Sequence, residues 1–287
     1  MQKFDLHMHT LYCDGKNSPE EMIRAAVSLG LDTVGLSGHS YTWFDESYCM
    51  SLDGTAEYIE EVNRLGAEYA DRIRVLLGVE LDYHADIDTS PFDYIIGSGH
   101  YILKDGVYID SDYTSEILQD AIDRYFGGDP IAAAERYYEQ VGDIVRKTDC
   151  DIVGHFDLIT KFNETWSGAK EGKLLIDTSD SRYINAWKKA VDRIFEDAAA
   201  RPVKDRPEYI NGPCRNRLEG LGIFKAGDRP LFEINTGAMG KGYRTSPYPA
   251  QDQIEYIRSK GGILILSSDS HSTDKLCYGF EDYLHLT

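Results

Sequence analysis

The sequence predicts an α/β protein folded as a closed or nearly closed parallel barrel. Three observations lead there. Short apolar runs alternate with amphipathic segments along the whole chain, the pattern of parallel strands joined by crossover helices. There are seven such runs. The 287 residues suit one barrel of roughly 250 residues as well as two domains of roughly 150. An open, doubly wound sheet is the alternative with the same alternation.

Taken in order, Lys3–His7, Thr33–Ser37, Arg74–Glu80, Tyr94–Gly97, Asp151–Gly154, Leu231–Ile234 and Gly262–Leu266 read as strands. The first helix starts at Ser18-Pro19-Glu20-Glu21: Ser18 caps, Pro19 suits the first turn and Glu21 completes a capping box. It runs to Leu29, and Gly30 stops it. Thr55–Ala70, Ser115–Tyr125, Pro130–Thr148, Arg182–Ala199 and Pro249–Ser259 carry apolar residues at helical spacing. The polar stretch 162–181 and the Arg-, Pro- and Gly-rich stretch 201–229 read as long excursions of a single domain spanning 1–287, and loops of that length are often functional.

Composition excludes several partners. Thirty Lys+Arg stand against 49 Asp+Glu, a net charge of −19, and such a surface repels nucleic acid and anionic membranes. A small phosphorylated substrate is compatible only if something local attracts it. No apolar run approaches the ~18 residues of a membrane span, and MQKFDLHMHT lacks the regions of a signal peptide, so a cytoplasmic protein is expected. The five scattered cysteines include no CxxC and read as reduced thiols; Cys13 draws attention only by its neighbours.

The eight histidines are the most informative feature. His7 and His9 close the first strand, His39 follows the second, and His100, His155 and His271 follow later ones; Glu80 and Asp269 hold equivalent positions, and Asp14 lies in the first loop. A parallel barrel gathers the carboxyl ends of its strands on one face, so these residues converge. Imidazole and carboxylate together suit zinc, iron or manganese, and nine of them point to two or three ions sharing a bridging carboxylate. A lone histidine at a strand end is more often a hydrogen-bonded core or surface residue, and HxH shares a face by simple alternation. It is the repetition over six strand ends that favours metal. His84 and His285 lie off the pattern and are given no metal role.

The motifs DLHMHT, CDG, SGHS, GVELDY, DYIIGSGHYI, GHFDLITKF, FEINTG and SSDSH, in that order, resemble the PHP (polymerase and histidinol phosphatase) family over nearly the whole chain, most of all its histidinol-phosphate phosphatases. The resemblance implies a distorted (β/α)7 TIM-like barrel with three divalent ions (Zn, Mn or Fe). His7, His9, Glu80 and Asp269 would hold one; Glu80 would bridge to a second on His100 and His155; Asp14, His39 and His271 would hold a third. Some family members have His at the Asp14 position, and the oxygen ligand favours a harder ion there.

The implied reaction is hydrolysis of a phosphate monoester, with a metal-bridging hydroxide attacking phosphorus in line. Three divalent ions would outweigh the three ligand carboxylates and make the site locally cationic. His39 and Asp269 are candidate proton donors to the leaving group. Lys161, Lys241 and Arg244 are candidates to grip phosphate, with Arg215 and Arg217 behind them; relatives often carry Arg where this chain has Gly240. Glu233, Asn235 and Asp157 are candidates to bind the cationic end of histidinol phosphate, although Asn235 can equally fix a loop and Asp157 orient His155. Tyr12, Tyr41, Trp43 and Tyr101 neighbour the ligand motifs as an aromatic wall or as ordinary packing. Three other readings share the motifs: a phosphoesterase for a nucleotide or other small ester, a non-catalytic metal-binding PHP module, and a mononuclear amidohydrolase. A cationic pocket built from 162–181 and 201–229 would favour the nucleotide; an acidic, aromatic one favours histidinol phosphate.

Overall fold

Seven parallel strands follow one another in sequence order around a nearly closed barrel, in a computed structural model that describes residues 2–287; Met1, the start of the expected domain, lies outside the described residues. The barrel strands are β1 (Phe4–Asp5), β2 (Thr33–Leu36), β3 (Arg74–Asp82), β4 (Tyr94–Ser98), β7 (Ile152–Val153), β8 (Leu231–Asn235) and β9 (Ile263–Ser267), each parallel to the next. Every expected strand is present, which favours the barrel over the open sheet. Between β4 and β7 the chain inserts an antiparallel hairpin, β5 (Tyr101–Lys104) and β6 (Val107–Asp110), that the strand reading missed. Its sequence signal is Asp105-Gly106, both with positive φ (51° and 80°), the dipeptide of a two-residue hairpin turn.

Among the described residues the seam between β9 and β1 has one bridge, Met8 to Ser270, and the first strand is shorter than expected. His9 N donates to Ser270 O at 2.8 Å and Ser270 N to His7 O at 3.2 Å. Below them the Gln2 amide stands in for a peptide group, donating to Leu266 O at 2.7 Å and accepting from Leu266 N at 3.0 Å. Buried Asp5 accepts from the backbone N–H of Ser268 and Cys277. These side chains satisfy backbone groups that an incomplete ladder would leave unpaired.

Helices α1 (Pro19–Ser28), α2 (Leu52–Glu68), α3 (Ser115–Tyr125), α4 (Pro130–Val141), α5 (Ile144–Thr148), α6 (Ser181–Ala200), α7 (Arg217–Gly220), α8 (Gly237–Gly240) and α9 (Gln251–Ser259) accompany the strands. The Ser18 capping box forms as expected. The single helix expected over 130–148 is two, interrupted at Gly142-Asp143. Among the described residues no helix is long and apolar enough to cross a membrane.

Two apolar layers position the site. Between helices and strands lies one large cluster that includes Met8, Val79, Leu81 and Trp187. Inside the barrel, Leu6, Leu76, Tyr94, Ile96, Ile152, Leu231 and Ile265 fill the lower half. Tyr94 crosses this space to donate to Leu6 O, and its ring occupies the volume that a Cβ at Gly35 or Gly78 would need. Burying such side chains stabilises by about 1.5–3 kcal/mol each.

The excursion 201–229 is placed by topology. Helix α6 runs back from the carboxyl face, so the segment after it lies where β8 begins. There α7 closes the barrel bottom: Leu218 and Leu221 join the interior cluster, and Arg74 donates to Leu221 O at 2.7 Å. The expectation that this excursion helps build the substrate pocket is therefore corrected. Arg217, 3 % exposed, forks onto Asp151 Oδ2 and Asp149 Oδ2 at 2.9 Å each, and Arg215 donates to Arg201 O. Both arginines sit at the end of the barrel away from the histidines.

Candidate metal centre and cleft

Strand alternation carries the site upward from the apolar plug. On β8, Leu231, Glu233 and Asn235 share the inward face; on β3, Gly78, Glu80 and Asp82 do. His7 and His9 point inward from the first strand's extension while Met8 between them packs outward. Each inward column thus changes from apolar at the bottom to acidic or imidazole at the top.

Glu80 lies at the middle of the constellation. Its Oε2 is 2.9 Å from His39 Nδ1, 3.3 Å from His7 Nε2 and 3.5 Å from His9 Nε2. Its Oε1 is 2.8 Å from His155 Nε2 and 3.3 Å from His100 Nε2. Asp269 Oδ1 is 3.2 Å from His9 Nε2 and 3.9 Å from His7 Nε2. Asp14 is 3.0 Å from His271 Nε2, 3.4 Å from His9 Nδ1 and 3.8 Å from His39 Nε2. All nine expected ligand residues therefore meet in one place. Three groups have atoms close enough for one ion each: His7, His9 and Asp269; His39, Glu80 and His100; and His9, Asp14, His39 and His271. His155 reaches the constellation through Glu80.

The donor set fits divalent cations. His7 Nε2, His9 Nε2 and Glu80 Oε2 are buried without a hydrogen-bond partner, although buried polar atoms are nearly always satisfied. Nitrogen and oxygen lone pairs that converge on shared points are a coordination set for Zn, Mn or Fe. Partners behind the imidazoles fix their tautomers. Glu233 takes His7 Nδ1 at 2.8 Å and His155 N at 2.5 Å; Asp82 takes His100 Nδ1 at 3.2 Å and His100 N at 3.1 Å. Asp269 adopts the left-handed region (φ 47°), with Asn235 Nδ2 on its Oδ2 at 3.3 Å. A Cβ at Gly237 would collide with Asp269, so glycine permits this approach.

Charge is strongly coupled here. Burial pushes the Glu80 carboxyl up, but His39, His7 and His100 outweigh it and hold it well below the carboxylate range. Asp269 is likewise held low, with Lys241 and His7 overcoming burial. Burial, reinforced by His271 and His39, lowers His9 to about 3. Burial raises the Cys13 thiol to about 12, so it stays protonated 3.6 Å from His9 Nδ1.

Several expected roles need correction. Glu233 and Asn235 have no exposed surface. Asn235 donates to Glu233 Oε1 and accepts from Gly237 N, so both residues brace ligands rather than meet a substrate cation. Asp157 is buried beside Arg244 at 3.8 Å and touches neither a cleft nor His155 Nδ1, which is unpaired. Arg244 donates to Thr160 Oγ1 and stacks its guanidinium 4.4 Å from the Tyr248 ring centre, behind the cleft wall. His39 directs its ring nitrogens at Glu80 and Asp14, and Asp269 Oδ1 faces His9 and His7, so both stand among the ligands. His84 contacts Gln140 at 3.0 Å, and His285 lies in the terminal turn, both away from the ligands as expected.

Lys161 and Lys241 do reach the site. Lys161 Nζ donates to Asp112 O at 2.7 Å and Oδ1 at 2.5 Å; Lys241 Nζ is 3.3 Å from His271 Nε2. Burial lowers the Lys241 ammonium, but Asp269, Asp112, Asp14 and Glu80 outweigh it and raise it. Above them opens a cleft of about 830 Å³ whose walls include Asp45, Tyr48, Tyr101, Asp110, Tyr113 and Tyr243. Of the four aromatics expected there, only Tyr101 lines it. Tyr12 donates to Glu61 and Tyr41 to Glu46, and Trp43 packs on Tyr108. Sequence reading missed Asp82, although it stands two residues beyond Glu80 on the same strand face. It missed Asp110 and Asp112 because it missed the hairpin.

The PHP domain family matches residues 5–193. A curated relative from Deinococcus radiodurans, named "Probable histidinol-phosphatase", is 31% identical over 289 residues, covering 97% of this chain and 90% of the relative. The solved structure of the hisK protein of Listeria monocytogenes superposes with a TM-score of 0.75 at 18% identity, over 98% of this chain and 100% of that one. A histidinol phosphate phosphatase structure from Lactococcus lactis, complexed with zinc, L-histidinol and phosphate, gives 0.66 at 19% identity, over 99% and 92%. At these identities the two structures speak for the fold.

Proposed function

The chain belongs to the PHP domain family, and from that premise we propose that it is a metal-dependent phosphomonoester hydrolase of the cytoplasm acting on L-histidinol phosphate in histidine biosynthesis. The observation that carries the substrate is the polarity of the cleft. Its floor carries Lys161 and Lys241 beside the imidazole and carboxylate constellation, and its walls carry Asp45, Asp110, Tyr48, Tyr101 and Tyr113. A phosphate suits the floor; an imidazole and an ammonium suit acidic, aromatic walls.

In this reading three divalent ions would be held, one by His7, His9, Glu80 and Asp269, a second by Glu80, His100 and His155, and a third by Asp14, His39 and His271. Bound there, they would supply Lewis-acid activation of water and neutralise phosphoryl charge. The chain's own residues do the rest. Lys161 and Lys241 attract the phosphate into a protein that is otherwise acidic. Glu233 and Asp82 hold the His7 and His100 rings in fixed orientations, and Glu233 also anchors the His155 backbone. Asp45 is aligned by the Tyr101 hydroxyl at 2.8 Å, and Asp110 accepts the N–H of Asp112 and Tyr113 on one oxygen, leaving its other oxygen without a protein partner. Both carboxylates are thereby set to receive the cationic leaving group.

Phosphate release from L-histidinol phosphate, a nucleoside bisphosphate and a neutral aryl phosphate tests this reading. The highest kcat/KM is expected for L-histidinol phosphate. Asp110→Asn should raise KM for that ester by roughly tenfold, the loss of one charge-assisted contact, and leave the neutral ester unchanged. Hydrolysis of the nucleoside bisphosphate with none of L-histidinol phosphate would overturn it.

A further inference from the structure

One buried polar group beside the constellation binds nothing in the protein. Tyr248 is 1 % exposed, and its hydroxyl is buried without a hydrogen-bond partner. Its side chain lines the floor of the site together with Glu80, His100, His155, Asp112, Lys161, Lys241 and Asp269. A buried hydroxyl without a partner costs stability that phenylalanine would not.

The ring is held on every side. Its backbone pairs with Asn235 in both directions, at 2.7 and 3.0 Å, which ties it to the strand that carries Glu233. The His155 ring stands edge-on at 6.4 Å between centres. Arg244 covers the other side, fixed by Thr160 Oγ1, by Ser246 O at 3.2 Å and by Asp157. The guanidinium is attracted to the aromatic face and fixes the ring, while burial, only partly opposed by Arg244, pushes the phenol well above its ordinary value. An ordinary phenol, with a pKa of about 10, carries its proton at neutral pH.

Building on the phosphatase reading, we infer that Tyr248 is a catalytic hydrogen-bond donor: its hydroxyl binds an oxygen of the phosphoryl group, and Arg244 positions it from behind. Lysines contribute charge from the cleft side, whereas Tyr248 contributes a directed neutral donor from the β8 side. A donor fixed before the reaction stabilises the developing charge without reorganisation. The binding of phosphate then satisfies the hydroxyl that is otherwise unpaired.

The test compares wild-type protein with Tyr248→Phe, both loaded with manganese, by kcat, inhibition by inorganic phosphate, metal content and melting temperature. Y248F should keep its metal content, melt at or above the wild-type temperature, lose kcat on the order of 10²-fold, and bind inorganic phosphate roughly tenfold more weakly. A purely structural tyrosine would lower the melting temperature on substitution and leave phosphate inhibition alone. Tyr248→Met removes the hydroxyl with a different shape and should show the same losses. Wild-type kcat and phosphate inhibition in either folded variant would overturn the inference. If wild-type protein ignores L-histidinol phosphate yet binds inorganic phosphate more tightly than Y248F does, the substrate reading fails and the role of Tyr248 stands.

Discussion

The two ends of the barrel each bury a cluster of charged side chains, and the clusters are built on opposite principles. At the bottom, Arg217 and Arg201 send guanidinium N–H groups to Asp149, Asp151 and backbone carbonyls, and Lys204 adds to Asp149. Donors meet acceptors there, with only the Nε atoms of Arg201 and Arg217 left unpaired among the guanidinium groups. At the top, imidazole nitrogens and carboxylate oxygens converge with their lone pairs, and three of those atoms have no protein partner. Removing one charge from a complementary cluster costs stability, because it strands the other. A cluster of converging acceptors is completed only by cations, and its residues are chosen for chemistry. The bottom therefore holds the barrel closed, and the top works.

Substitutions at the two ends should separate activity from stability. The largest effect is expected for Glu80→Gln, which removes the carboxylate that touches five histidines. Turnover should fall on the order of 10³-fold or more, and metal content should drop, with melting of the metal-free protein changed little; elemental analysis and calorimetry read both. His100→Ala should behave alike. Next is Glu233→Gln, which keeps the shape but weakens the hold on His7 and His155. A loss of roughly 10- to 100-fold in metal affinity or activity is expected, measured by metal titration.

At the bottom, Arg217→Met should cost about 3–5 kcal/mol by leaving Asp151 buried without its partner. Melting should fall by roughly 5–15 °C, while kcat per folded molecule stays at the wild-type value. The smallest effect concerns acid. Burial pushes the Asp149 carboxyl up, but Lys204, Arg217 and Arg201 hold it below the usual range. A depressed carboxyl contributes stability that is present above its unfolded value, near about 4, and lost as pH falls through the folded one. Asp149 is 36 % exposed, so solvent screens the contribution to about 1 kcal/mol. Asp149→Asn should melt slightly lower at pH 7 and lose less than wild type between pH 5 and pH 3.

This contrast also explains what the sequence disclosed. Strand ends were legible, because His or a carboxylate after an apolar run recurs often enough to exceed coincidence, and a parallel barrel brings the ends together. Arg215 and Arg217 entered only as further candidates, because arginine is an attractive phosphate ligand in any loop. The polarity of the chain decides otherwise: a segment that follows a crossover helix and precedes a strand lies at the bottom. Glu233 and Asn235 were misread because the residue type gives charge but not depth, and alternation along β8 buries both beneath the ligands. The hairpin that supplies Asp110 was legible in Asp105-Gly106, yet its strands are only four residues each and half-exposed, so their apolar pattern is weak.

The most direct test of the account is diffraction from crystals of manganese-loaded protein soaked with phosphate, measured on both sides of the metal absorption edge. Three anomalous peaks are expected around Glu80, with phosphate between them and Lys161, Lys241 and Tyr248, and no peak at the Asp149–Asp151 cluster. Density without anomalous signal at the top of the barrel, or metal bound only among the carboxylates at the bottom, would contradict it.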